Sequence, residues 1–256
     1  MSRASIVTLA LGLVALAAPA MGQPALETAR TLLVGWHEDP TRIDRARGIL
    51  EAEASVNPTA ETLTELSAAW FLTGDFRAHS DTDRRASYEQ GSRAARRAIA
   101  LAPQNERAHL LLAFNNGRTA EIAGVTKALG LVSTIREESN TVLRINPSSV
   151  EGLILAGGLA AGLPTLMGGD RAKAEVLLLR ALELDPHQTG GRLELAKLYI
   201  AQRRWSAAAR QLQAVMDEQA PADLSRWTIS DLPRASAMLV ELREQGRLPG
   251  VPTQSP

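Results

Sequence analysis

Four prolines recur along the chain, each with an apolar residue two positions before it, and they divide the chain into units of similar length. They are Pro58, Pro103, Pro147 and Pro186, spaced 39 to 45 residues apart, and a looser fifth copy ends at Pro221. Because proline cannot continue a helix and disfavours helical geometry in the residue before it, each marks a helix end. Repetition at this period is typical of stacked helix pairs, so the sequence predicts an all-α repeat architecture.

Small residues occur where two helices of one unit would cross. In the last unit, apolar residues at helical spacing predict one helix that ends near Gln202 and a second that begins at Trp205. Ala196 and Ala208 lie twelve positions apart on these helices, followed by Val215. A larger side chain at either alanine would overpack the crossing at a cost of about 1–3 kcal/mol.

This arrangement resembles the tetratricopeptide repeat (TPR) family, whose units carry small residues at these offsets and a proline near the end. The resemblance implies a right-handed α-solenoid of degenerate TPR-like helix pairs over residues 23–246, closed by a C-terminal capping helix. The second unit agrees at Gly91, Ala95 and Ala98, but residues 76–85, FRAHSDTDRR, are an insertion. Its charged, Asp- and Ser-containing composition predicts an exposed loop.

The two ends of the repeat region are predicted from the same signals. Residues 24–36 form a first helix and residues 41–55 its partner. A looser linker over residues 221–230 is followed by a closing helix that Asp231 caps and that Gly246 ends. The proline-rich residues 247–256 are predicted to be a disordered tail.

Residues 1–22 have the pattern of a secretory signal peptide. Arg3 precedes the apolar and small residues 6–18, and Ala18-Pro19-Ala20 fits the small-x-small cleavage rule, with residues 20–22 as a second candidate. The apolar run is shorter than the roughly 20 residues that a membrane span needs. The uncharged residues 152–169 contain several glycines and a proline, which favours close helix packing over a membrane span. We therefore predict a periplasmic protein, with secretion as the second choice.

Composition excludes several classes of function. Lys plus Arg and Asp plus Glu are both 28, so the chain lacks the basic excess typical of nucleic-acid binders. The absence of cysteine excludes disulfides and thiolate metal sites. The four histidines lie in different units, and no nucleophile-elbow, phosphate-loop or dinucleotide motif is present. We predict neither an enzyme nor a metal or cofactor protein.

Residues 115–198 carry a second resemblance. They contain NNGR, IREESNTVLRINP and GLPTLMGGDRAKAEVLLLRALELDP, which together are similar to the T-component family associated with TRAP transporters. That resemblance implies a periplasmic helical protein with a lipophilic cavity along residues 152–167 and a transporter solute-binding protein as partner. It offers an alternative function, the carriage of a small lipophilic ligand.

Two groups of residues are candidate ligand contacts. Gly168 and Gly169 permit a turn, and Asp170 either caps the next helix or marks an anion site at its N-terminus. Asn115, Asn116 and Arg118 follow an apolar run. They either lie on a helix surface, form hydrogen bonds between neighbouring helices, or line a ligand-facing groove, where Arg118 would meet a carboxylate. The first prediction of function is a periplasmic scaffold that binds a protein or peptide partner.

Overall fold

Residues 22–248 are described by a computed structural model, and they contain helices and turns but no strand. Five antiparallel pairs follow one another along the chain, and a closing segment packs on the last of them. The helices are α1 (Gly22–Val34), α2 (Thr41–Val56), α3 (Ala60–Phe76), α4 (Asp81–Leu101), α5 (Glu106–Ile122), α6 (Val125–Ile145), α7 (Val150–Gly162), α8 (Arg171–Leu184), α9 (Thr189–Ala201) and α10 (Trp205–Met216). The closing segment contains α11 (Leu224–Arg226), a π-helical turn (Trp227–Asp231) and α12 (Leu232–Glu244). The predicted all-α solenoid of helix pairs is confirmed.

The repeating prolines end the second helix of each of the first four pairs, as predicted. In every case the last helical residue stands two positions before the proline. The next helix then begins with a polar cap: Thr59, Asn105 and Ser149 each accept a hydrogen bond from a backbone amide in the first turn of α3, α5 and α7. A proline followed by such a cap therefore stops one helix and starts the next within a few residues.

The first helices of the pairs form the inner layer of the stack. α1 packs against α3, α3 against α5, and α7 against α9, although α5 and α7 are not packed in this way. The second helices of neighbouring pairs make no comparable contact in residues 22–248. When one layer of a stack is packed more closely than the other, the stack curves with that layer inside. The face presented by α1, α3, α5, α7 and α9 is therefore concave, and we call it the inner face.

The curvature brings the two ends of the stack together. The Ser225 hydroxyl, at the start of the closing segment, donates a hydrogen bond of 2.7 Å to the Val34 carbonyl oxygen at the end of α1. It also lies 2.7 Å from His37 Nδ1 in the following turn, and the neighbouring Trp36 is buried. We call this the closing contact, and it joins residues about 190 positions apart in the sequence.

Two hydrophobic cores support the stack. One includes residues of the first two pairs and Ala108 at the start of α5, and the other extends from α7 to α12. Ala196 and Ala208 are both fully buried in the second core, as the small-residue pattern predicts. A Cβ atom on Gly157 would lie 2.8 Å from Leu178 Cγ, so α7 and α8 are close at this glycine, also as predicted.

Three details differ from the prediction. Residues 81–85 of the insertion are not loop but the first turns of α4, because Ser80 caps that helix by accepting from the Asp83 amide. Asp231 does not cap the closing helix: its carboxylate is buried and accepts from the Thr189 hydroxyl, while Asp223 caps α11. The predicted linker over residues 221–230 thus contains helix from Leu224 onward.

The closing helix ends as expected at Gly246. Gly246 has a positive φ of 63°, and the Arg247 amide donates to the Leu242 carbonyl oxygen. Leu248 packs against the second core, so residues 247 and 248 are ordered parts of the helix end. Residues 249–256 lie outside the described part, as do residues 1–21 of the predicted signal peptide. No helix within residues 22–248 has the length and apolar character needed to span a bilayer.

Candidate partner-binding face

Asn115 and Asn116 lie in the core between α3, α4 and α5. Asn115 is fully buried and donates from Nδ2 to Ser67 Oγ and to the Leu111 carbonyl oxygen. Asn116 is also buried, and its Oδ1 accepts from the Ser92 hydroxyl. Both residues therefore form hydrogen bonds between neighbouring helices, which is one of the predicted alternatives. These contacts offer no support for the ligand-facing groove, which stays a prediction. Within residues 22–248, Asn115 Oδ1 and Asn116 Nδ2 have no hydrogen-bond partner.

Arg118 belongs to an ion-pair network at the other end of the same helices. Its guanidinium lies 3.0 Å from the Asp75 carboxylate and 2.9 Å from Glu121. Burial acts to lower the pKa of Arg118, but the two carboxylates outweigh it and hold that pKa above its ordinary range. Asp75 also accepts from the Tyr88 hydroxyl at 2.7 Å, and burial with this bond raises the pKa of Tyr88. The Arg118 guanidinium is thus already ion-paired with Asp75 and Glu121.

The turn at Gly168, Gly169 and Asp170 has the geometry of a helix start. Gly168 has a φ of 84°, and a Cβ on Gly169 would lie 1.8 Å from the Leu163 carbonyl oxygen, so neither position tolerates a side chain readily. Asp170 Oδ1 accepts from the Ala172 and Lys173 amides at 3.0 and 2.9 Å. The cap interpretation is confirmed, and these contacts offer no support for the anion-site alternative.

The inner face also carries a charged cluster that was not predicted from the sequence. Glu65 on α3, with only 10% of its side chain exposed, lies 3.1 Å from Arg30 on α1 and 3.3 Å from Arg107 on α5. These residues, together with Glu61, Thr64 and Asn105, line a hollow of about 170 Å³. The Arg107 side chain is 59% exposed, so most of its hydrogen-bond donors face solvent at the mouth of the hollow.

Glu151 extends this cluster across the gap between the third and fourth pairs. Its side chain has access to water, yet the protein around it raises the pKa of Glu151, while Arg107 and Arg226 act in the opposite direction. Glu151 is the second residue of α7 and Arg107 the second residue of α5, and equivalent positions of stacked pairs lie on the same face. We call Arg30, Glu65, Arg107, Glu151 and Arg226 the inner cluster.

One sequence signal could have revealed part of the inner cluster. Glu61, Arg107 and Glu151 are each the second residue of a first helix, three or four positions after a proline. Equivalent positions of stacked pairs lie side by side on the same face. The repeat phase therefore predicts that these three charges are near neighbours, although the sequence does not show that Arg30 and Arg226 join them.

The histidines show no metal-binding arrangement in the described residues, in which no group of three His, Cys, Asp or Glu side chains could hold an ion. His109 is buried between α5 and α6. Its Nδ1 contacts the Glu138 carboxylate, and its Nε2 lies 3.1 Å from the Pro103 carbonyl oxygen. Both nitrogens thus connect α5 to its neighbours, and the ring has a structural role.

Comparison with known proteins agrees with this architecture. A family model described as tetratricopeptide repeat matches residues 166–227. The chain folds as a TPR-like helical-repeat protein. A solved structure of a thermophilic TPR protein from Thermus thermophilus has a TM-score of 0.65 at 21% identity, covering 86% of this chain and 99% of that one. No curated protein sequence matches the chain.

Two further solved structures share the fold. PilF from Pseudomonas aeruginosa has a TM-score of 0.52 at 14% identity, covering 88% of this chain and 93% of that one. The human IFIT1 dimer with m7Gppp-AAAA has a TM-score of 0.51 at 17% identity, covering 88% of this chain and 56% of that one. TPR repeats generally mediate protein–protein interaction, and proteins of this fold are generally scaffolds without enzymatic activity.

Proposed function

We propose that the chain is a binding scaffold that receives an extended segment of a partner protein on its inner face, at the inner cluster. The observation that carries the proposal is the exposure of the Arg107 guanidinium. Within residues 22–248 its one ion pair is with Glu65, and this leaves most of the guanidinium in solvent at the mouth of a hollow. A guanidinium held in this way can bind a carboxylate or a backbone carbonyl oxygen of a bound segment.

The mixed charge of the inner cluster fits a peptide better than a polyanion. Glu65 is paired with both Arg30 and Arg107, Glu61 lies 3.6 Å from Arg30, and the charges of Arg107 and Arg226 act on Glu151. An extended peptide presents both amide donors and carbonyl acceptors along its length, so it can satisfy both kinds of charged group. A polyanion would meet repulsion from these carboxylates.

We further propose that this binding takes place in the periplasm, on the basis of the signal pattern of residues 1–22. A fusion of these residues to a reporter enzyme that is active only after export tests the localisation. Export of the fusion, and its loss when residues 6–18 are deleted, supports the proposal. Retention of the fusion in the cytoplasm contradicts the periplasmic part and leaves the scaffold part standing.

Photo-crosslinking tests the inner face as the binding surface. A photoreactive amino acid replaces Glu61, which lines the hollow beside Arg107, in one variant and Arg96 in the other; Arg96 is exposed on α4, away from the inner layer. In cell extract, the variant at position 61 should give a discrete protein adduct that the variant at position 96 does not give. Equal labelling from both positions would place the binding elsewhere and contradict the proposal.

The alternative function, a carrier of a lipophilic ligand similar to a TRAP T-component, needs an apolar cavity along residues 152–167. In the part of the chain that the structure describes, the hollow at the inner cluster is lined by charged and polar residues, and a further hollow at residues 203–210 has three arginines in its lining. Gly157 is in close contact with Leu178, where such a cavity would have to open. No contact in residues 22–248 favours this function over the scaffold.

A further inference from the structure

A second hollow lies at the turn between α9 and α10, and its volume is about 420 Å³. The turn joins the C-terminal end of α9 to the N-terminal end of α10, whereas the inner cluster is at the N-terminal ends of α3, α5 and α7. The hollow is therefore separate from the inner cluster. The residues that line it are Arg203, Arg204, Trp205, Ser206, Ala207 and Arg210.

Arginine dominates the charge of this hollow. Arg204 is neutralised by Glu175 at 2.7 Å and also lies over the Tyr199 ring. Arg203 and Arg210 are exposed, and within residues 22–248 neither has a carboxylate at ion-pairing distance. Arg203 and Arg210 therefore leave positive charge at this surface without a described counter-charge.

Trp205 contributes an indole ring to the lining of the hollow, and this ring holds a further arginine nearby. The indole is half-buried against the second core. The Arg247 guanidinium lies over its ring at 5.0 Å from the centroid, within the range of a cation–π contact. The indole thus holds a third guanidinium, also without a described carboxylate partner, near the turn.

The backbone of the turn shows that the position of Arg203 is costly. Arg203 has a φ of 60°, a left-handed conformation that a glycine would adopt with less strain. No other non-glycine residue in the described part of the chain has a positive φ. The conformation ends α9, because the Arg203 and Arg204 amides then donate to the Ile200 and Tyr199 carbonyl oxygens.

We propose that this hollow docks an acidic segment of a partner protein, whose carboxylates bind Arg203, Arg210 and Arg247. Guanidinium groups match carboxylates in pairs of parallel hydrogen bonds, which gives the charge pattern its chemical preference. A local hollow of this size accepts a few side chains of a peptide. A nucleic acid would need a longer basic surface, and the chain as a whole has no net charge.

Fluorescence anisotropy with the full chain tests the docking of an acidic segment. The probe is a labelled twelve-residue peptide that alternates Glu and Gly, compared with a peptide in which Gln replaces every Glu. The test variant combines Arg203→Asn, which tolerates the left-handed turn, with Arg210→Glu. The matched control makes the same two changes as Arg96→Asn and Arg97→Glu, at exposed positions on α4.

The acidic peptide should bind the unchanged chain more tightly than the neutral peptide, and its binding should weaken with added salt. The test variant should lose about tenfold or more in affinity, since close charge pairs are removed and one is reversed, while the control should change little. Equal binding of the two peptides, or an equal loss in the control, would overturn the proposal. So would tighter binding of a single-stranded oligonucleotide that the same variant abolishes. The inner-face crosslink is read independently, so either proposal can fail alone.

Discussion

Replacement of Gly91 by alanine should destabilise the protein through one buried amide. A Cβ atom on Gly91 would lie 2.2 Å from Asn115 Oδ1, and Asn115 is fully buried. The amide must move, and it then loses its bonds to Ser67 and to the Leu111 carbonyl oxygen. Overpacking costs about 1–3 kcal/mol, and each lost hydrogen bond adds about 1 kcal/mol.

The higher helix propensity of alanine offsets about 1 kcal/mol of that cost. The expected net loss for Gly91→Ala is therefore about 2–4 kcal/mol in the free energy of unfolding. For a chain of this size the melting temperature should fall by about 5–15 °C. Urea and thermal unfolding followed by circular dichroism measure both quantities.

Gly48 provides the matched control, because it is exposed within α2 and a Cβ there would have no atom within 4 Å. Gly48→Ala should raise the stability by up to about 1 kcal/mol. A double-mutant cycle with Asn115→Ala then isolates the clash: Gly91→Ala should cost much less when the amide is already absent. If Gly91→Ala proves as stable as Gly48→Ala, the reasoning is refuted.

Three further predictions follow from contacts described above. Asp170→Ala removes the cap of α8 and should lower the free energy of unfolding by about 1 kcal/mol in urea titrations. Burial raises the pKa of Asp231, so the folded state binds its proton more tightly, and this group's contribution to stability falls as pH rises above the ordinary aspartate range. Asp231→Asn, which keeps an acceptor for Thr189, should therefore gain stability relative to the unchanged chain between about pH 4 and pH 7. Ser225→Ala removes the closing contact and should increase the radius of gyration in small-angle X-ray scattering, with the helical content unchanged.

The contrary outcomes are equally specific. An unchanged free energy of unfolding for Asp170→Ala would show that the Asp170 carboxylate is not needed to stabilise the amides at the start of α8. If the free energy of unfolding of Asp231→Asn differed from that of the unchanged chain by the same amount across that pH range, the buried charge of Asp231 would not be the cause of the difference. An unchanged radius of gyration for Ser225→Ala would show that the hydroxyl does not hold the ends together.

Much of the fold could be predicted because its boundaries depend on local chemistry. A proline stops a helix wherever it occurs, so Pro58 and its equivalents were sufficient to divide the chain. Local signals became ambiguous where one residue type serves two purposes. Asp81 and Asp83 looked like loop residues because acids favour turns, yet acids also favour the first turn of a helix, which is where they lie.

The functional surfaces were harder to predict because they depend on which helices meet. Asn115 follows an apolar run and looked like a surface residue; only the packing of α3 and α4 against it shows that its partner is Ser67. Asp231 was interpreted as a cap, but Thr189, 42 positions earlier, accounts for its burial. Arg30 and Arg107 meet through Glu65, and no spacing in the sequence connects the three.

The closing contact changes how a repeat protein of this kind should unfold. An open array loses order from its free ends, because a terminal pair has only one neighbour to hold it. Here Val34 in the first pair and Ser225 in the closing segment hold each other, so neither end is free. Fraying of one end withdraws support from the other, and in hydrogen exchange the amides of the first pair and of the closing segment should open together. The stack of helix pairs should therefore unfold cooperatively, as a closed ring of pairs would.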